Sequence, residues 1–184
     1  VIPAWQIIRM PHDVDMRHAA LTEPLACCIH SIRKARLKFG DTVVIIGMGI
    51  MGYFHVKLAQ MCGARIIVSK TDEEKRKTAI REGAAYAFDP SQCDVGEEIR
   101  RLTDGLGADA VINTIPFKEV WQQAIDMLAP YGRLIAYSSQ NSKEPIGVDF
   151  GMVHSREIEF IGTLNPTIED KQMAVKLIGY HCIL

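Results

Sequence analysis

The sequence predicts an α/β fold: a doubly wound, six-stranded parallel sheet between two helical layers, three layers in all. Three observations carry this expectation. Short β-branched runs alternate with helical stretches of ten or so residues over most of the 184-residue chain. The runs are apolar without alternation, as strands covered on both faces must be. A glycine-rich turn, Gly47-Met48-Gly49-Ile50-Met51-Gly52, separates the first run from the helix that follows it.

A first helix is expected from about Glu23 to Leu37, with Thr22 as N-cap, Glu23 facing the helix dipole and Pro24 in the first turn. Its Leu25, Ile29 and Ile32 share a face that must pack on the sheet or on a neighbour outside the chain. Strands are expected at Thr42–Ile46, Arg65–Ser69, Tyr86–Phe88, Ala110–Ile112, Leu134–Tyr137 and Ile158–Leu164. The helices between them run Ile50–Cys62, stopped by Gly63, and Asp72–Glu82, with Thr71 or Asp72 as N-cap and Gly83 at the end. Then come Val95–Thr103, ending in a Gly105/Gly107 turn, and Lys118–Leu128, closed by Pro130-Tyr131-Gly132; Ile168–Ile178 is last. Right-handed crossovers then give the strand order 3-2-1-4-5-6. Residues 1–39 read as a lead-in segment with an interdomain-type helix, and 40–184 as the dinucleotide-binding unit.

Composition narrows the classes. With 48% apolar and 23% charged residues the chain has enough apolar material for a core. Its 21 basic and 22 acidic side chains leave a net charge of -1, with no electrostatic footprint for nucleic acid or an anionic membrane. The longest uncharged stretch, Thr42 to Val56, falls short of the ~20 apolar residues that span a bilayer. No secretory signal opens the chain. Cys27, Cys28, Cys62, Cys93 and Cys182 are odd in number and form no C-x-x-C, so a reduced, cytoplasmic setting is expected.

The glycine turn carries the chemistry. Its first glycine permits the sharp turn, the second lets a pyrophosphate approach the backbone, and the third lets helix and strand lie close. Gly47, Gly49, Ile50, Met51 and Gly52 are therefore the candidate phosphate loop, with the Ile50 and Met51 amides aimed at phosphate oxygens. The plain alternative is a glycine turn that only joins strand to helix. At the end of the second strand, an acid would bind the ribose hydroxyls of NAD. This chain has Ser69, Lys70 and Thr71 there, with Lys75 and Arg76 a turn later, which favours NADP over NAD. Against this stands a merely solvated helix entrance, with Asp72 turned back to the ribose.

Other reactive residues give no pattern. His12, His18, His30, His55, His154 and His181 form no metal spacing, and there is no G-x-S-x-G elbow. His55 reads as a packed or surface side chain, the Cys27-Cys28 pair as packing, and Trp5 and Trp121 as core or interface aromatics. No catalytic residue is assigned within the chain.

Several segments together resemble the medium-chain, zinc-dependent alcohol dehydrogenases, in their sorbitol and threonine dehydrogenase branch. They are Ala19-Ala20-Leu21-Thr22-Glu23-Pro24-Leu25-Ala26, Leu37-Lys38-Phe39-Gly40-Asp41-Thr42-Val43, the glycine turn, Glu82-Gly83-Ala84, Gly107–Ile112 and Gly132-Arg133-Leu134. The resemblance implies the Rossmann-fold, NAD(P)-binding domain of an enzyme oxidising a small alcohol or polyol. It further implies that Thr114 and Ile115 wall the nicotinamide ribose, that Ser138 and Ser139 form the nicotinamide-side turn, and that Lys75 lies beside the adenosine. It places Glu23 near a catalytic zinc, as ligand or neighbour, in a complete parent chain. The family's Gly-His-Glu segment and cysteine ligands do not occur here, so zinc and turnover are expected of the parent and not of this chain. Asn113-Thr114-Ile115-Pro116 departs from the family's usual glycine. A non-catalytic NAD(P)H-sensing module and a zinc-free, quinone-reductase-like oxidoreductase are the rival readings. A methyltransferase fits the glycine turn less well. Ile158–Leu164 is a candidate edge for pairing with a second copy.

Overall fold

The computed structural model describes Pro3 and residues 7–140 and 143–183; Trp5 lies outside them. Six strands form one sheet in the order β3-β2-β1-β4-β5-β6, every neighbouring pair parallel. The strands are β1 (Thr42–Ile46), β2 (Arg65–Ser69), β3 (Tyr86–Phe88), β4 (Ala108–Asn113), β5 (Leu128–Ala136) and β6 (Glu159–Gly162). Helices α1 (Met16–Ala19), α2 (Thr22–Ala35), α3 (Ile50–Met61), α4 (Glu73–Arg81), α5 (Val95–Leu102), α6 (Lys118–Asp126), α7 (Phe150–Arg156) and α8 (Ile168–Gly179) complete the order. Among the described residues no helix is long and apolar enough to cross a membrane.

Two cores follow from the alternation of side chains across each strand. Val43 and Ile45 of β1 with Ala110 and Ile112 of β4 meet Leu25, Ile29 and Ile32 of α2, Phe54 of α3 and Ile178 of α8. Val44 and Ile46 with Val111 and Leu134 meet Ile99 of α5, Trp121 of α6 and Ile158. The shared face of Leu25, Ile29 and Ile32 is thus spent inside this chain. Buried Asp170 fixes α2 to α8, accepting from Arg33 at 2.8 Å and lying 2.8 Å from His30 Nδ1. It also closes a capping box with Thr167. Burial pushes its carboxyl up, but the Thr167 and Arg33 bonds outweigh that and hold it below the usual aspartate range. At the far end of α2, Arg133 donates to the Ala35 and Arg36 carbonyls and to Asp41, satisfying acceptors that a helix end leaves open.

Some local expectations change. Thr22 is not the N-cap of α2: Leu21 holds that position, and the Thr22 hydroxyl donates back to the Ala19 carbonyl at 2.7 Å. The short α1 feeds directly into α2, so the hydroxyl meets a carbonyl before it can reach a free amide. Pro130-Tyr131-Gly132 does not close a helix but forms an irregularity inside β5, which begins at Leu128. Pairing jumps there from Ala108↔Leu128 to Ala110↔Arg133, with Tyr131 at φ 62°. Strand β5 ends at Ala136, one residue early, and β6 is shorter than expected. Helix α7 has no counterpart among the expected elements; its N-cap Asp149 accepts from the Gly151 and Met152 amides.

Candidate functional site

At the carboxyl end of β1 the chain must reverse within four residues, and the three glycines divide the work. Gly47 has φ 101°, a left-handed region that side chains avoid. A β-carbon there would lie 2.4 Å from Thr114 Oγ1. A β-carbon on Gly52 would lie 2.2 Å from the Gly47 carbonyl oxygen, so strand and helix touch backbone to backbone. Gly49 differs from both. Its φ of -78° and ψ of -168° suit any residue, and a β-carbon would meet nothing within 4 Å. It is the N-cap of α3, which has no side-chain cap bond and no acid in its first turn. The positive end of a 12-residue helix therefore meets open space beside Gly49.

The walls come from β4 and β5. Thr114 donates to the Ile46 carbonyl through both its amide (3.1 Å) and its hydroxyl (2.7 Å). Ile115 N–H donates to Asn113 Oδ1 at 2.9 Å, and Ser138 N–H donates to the Asn113 carbonyl at 3.0 Å. The Thr114 bonds tie the end of β4 to the end of β1, Thr114 and Ile115 lie against Gly47, and the Ser138 bond ties the end of β5 to β4. Ser138 and Ser139, with Tyr137, Thr163 and Leu164, line a cavity of about 740 Å³ beyond β5 and β6.

On the other side, Gly47 N–H donates to the Ser69 carbonyl at 3.0 Å, while the Ser69 side chain is buried. Asp72 is the N-cap of α4, accepting from Lys75 N–H at 2.9 Å. That bond, with the charges of Lys75 and Lys70, holds its carboxyl below the usual range. Lys70 is half-buried and Lys75 exposed. Arg76 does something the sequence did not suggest. Its guanidinium donates to the Lys70 and Thr71 carbonyls and to Asp89 at 3.0 Å, bracing the turn after β2. No local spacing marks the pair, because Asp89 is 13 residues away.

Glu23 is exposed in the first turn of α2 and accepts from the Cys27 thiol at 3.2 Å. Burial, then the Glu23 bond and charge, push that thiol up to about 12. Burial does the same to Cys28. Among the described residues no three His, Cys, Asp or Glu side chains gather to hold a metal. His55 is fully buried and pushed down to about 4 by that burial, hence neutral; it packs rather than titrates near pH 7.

Residues 47–179 match the family model described as zinc-binding dehydrogenase. The chain is 33% identical to the sorbitol dehydrogenase of Halalkalibacterium halodurans over 172 residues, 92% of this chain and 50% of that protein. It is 30% identical to the L-threonine 3-dehydrogenase of Pyrococcus furiosus over 135 residues, 73% of this chain and 38% of that one. A crystal structure from Sinorhizobium meliloti 1021, described as a zinc-binding dehydrogenase bound to NADP, superposes with a TM-score of 0.90 at 30% identity. It covers 96% of this chain and 52% of the other. The chain spans about half the length of the curated relatives it matches most fully. With its six-stranded sheet and glycine turn, it belongs to the zinc-binding dehydrogenase family, in the region of that family's NAD(P)-binding domain.

Proposed function

We propose that this chain is the cofactor-binding part of an NAD(P)-dependent alcohol or polyol dehydrogenase, with NADP favoured. The observation that carries the reading is the opening at Gly49, walled by glycines that have no room for a side chain and facing an uncapped helix N-terminus. A pyrophosphate fits that vacancy in shape and charge. Gly47 and Gly52 hold the turn, and the Ile50 and Met51 amides receive the phosphates. Thr114, Ile115, Ser138 and Ser139 border the path toward the nicotinamide, and the bound nicotinamide supplies the hydride acceptor. At the adenosine end Lys70 and Lys75 answer a 2′-phosphate, and Ser69 contributes its carbonyl to the turn. Asp72 is engaged as a helix cap, which supports NADP over a contact from Asp72 to the ribose.

The relatives' activities suggest an alcohol or polyol substrate, held by chain beyond the stretch shared here, with Glu23 on the side facing it. Residues 1–39 act as the lead-in and 40–184 as the binding unit. Balanced charge and five free cysteines support a reducing, cytoplasmic setting, away from nucleic acid and membranes. The outer edge of β6, with Phe160 44% exposed, is the surface we assign to pairing with a second copy.

The test is separate titration with NADPH and NADH, following tryptophan fluorescence and nicotinamide emission. Both should bind, NADPH more tightly, and the chain alone should not oxidise alcohols. Binding of neither overturns the reading.

A further inference from the structure

Met51 is gripped at both ends. His55 Nδ1 lies 2.7 Å from its carbonyl oxygen. The neutral ring donates there and accepts at Nε2 from the buried Ser31 hydroxyl, 2.9 Å away on α2. The other end is held by its sulfur, to which the Tyr137 hydroxyl donates at 3.0 Å. The Cys28 thiol, also on α2, lies 3.6 Å from that hydroxyl, 3.8 Å from the Met51 sulfur and 3.7 Å from the Met51 carbonyl. The His55 ring packs edge-on to Tyr137 with centroids 4.7 Å apart. An amide offered to a phosphate needs the backbone in place. It gives no reason for a methionine side chain to be anchored as well.

The anchoring makes sense from the topology. Met51 is in the first turn of α3, above β1, and Tyr137 follows β5; β4 lies between those strands. The bond from hydroxyl to sulfur therefore bridges the carboxyl end of β4. A dinucleotide seated on the glycine turn sends its adenosine half the other way, over β2 and β3, and its nicotinamide half across this bridge. We infer that Tyr137 is a positioning residue: through the Met51 sulfur, with Cys28 and His55 behind it, it sets the floor on which the nicotinamide half rests. The inference depends on the dinucleotide reading above.

The experiment compares two ligands, NADPH and 2′-phospho-ADP-ribose, which lacks the nicotinamide, on the chain and on two conservative variants. Tyr137→Phe removes the hydroxyl and Met51→Leu removes its acceptor while preserving bulk. Tyr137→Phe should weaken NADPH by roughly 3- to 10-fold, the scale of one hydrogen bond, and leave 2′-phospho-ADP-ribose unchanged; Met51→Leu should weaken NADPH to the same degree. Because both variants break the same bond, the double variant should be no worse than the worse single one. Equal weakening of both ligands by Tyr137→Phe, no weakening of NADPH, or losses that multiply in the double variant would overturn the assignment. If neither ligand binds the unsubstituted chain, the dinucleotide reading falls and this inference with it. If both bind it normally and Tyr137→Phe changes nothing, only the positioning role falls.

Discussion

Two glycines three residues apart should respond to the same methyl group in opposite ways. In Gly52→Ala the new carbon meets the Gly47 carbonyl oxygen at 2.2 Å. Backbone cannot swing aside as a side chain can, so α3 must retreat from β1. Such overpacking costs roughly 1–3 kcal/mol, which lowers the melting temperature by about 2–12 °C at this chain length. In Gly49→Ala the carbon meets nothing. Alanine is the poorer N-cap by up to about 1 kcal/mol, and a stiffer unfolded chain returns roughly 0.4–1 kcal/mol. The melting temperature should therefore stay within about 4 °C. Binding should not. A methyl in the opening blocks the approach of a pyrophosphate and removes charged hydrogen bonds worth about 1.5–3 kcal/mol, a loss of about 10- to 100-fold. Scanning fluorimetry reads the first quantity and calorimetric titration of NADPH the second. A Gly49→Ala protein that binds NADPH with undiminished affinity would refute the assignment of that space to the ligand.

Four further outcomes follow from particular contacts. Lys70→Asp should cut NADPH affinity about 10- to 100-fold and spare NADH; an unchanged ratio in paired titrations sinks the NADP preference. His55 is held near 4 by burial, against 6.5 when unfolded. Its stabilising share is complete above pH 6.5 and fades as acid protonates the unfolded chain, by about 2 kcal/mol between pH 7 and 5. Melting curves of His55→Gln should have a flatter slope over that interval. Asp170→Ala strips His30, Arg33 and the α8 cap of a shared partner, and should cost about 2–3 kcal/mol because the Arg33 and His30 side chains keep some solvent access. Hydrogen exchange should then quicken in α8 before the central strands. Phe160→Lys on the β6 edge should leave the fold intact and shift any dimer to monomer by light scattering; persistence of the dimer would move the contact elsewhere.

Features set by the local chain were legible in the sequence; those set by meetings across the fold were not. Strands β1, β2 and β3 lie at their expected residues because each is an apolar run bounded by residues that cannot continue it. Pro130-Tyr131-Gly132 misled for the same reason: the triplet has turn chemistry, yet β4 draws it into an irregular strand. The glycine turn could be read because each glycine answers a constraint within six residues. Its supports could not, since Arg76 meets Asp89 only after the chain folds back, and Cys28, Met51 and Tyr137 come from three separate elements. This division has a physical basis. Backbone-led recognition of a diphosphate needs absent side chains, and absence repeats as a motif. The placing of the ring beyond it depends on side chains that meet across strands, and those contacts leave no fixed spacing.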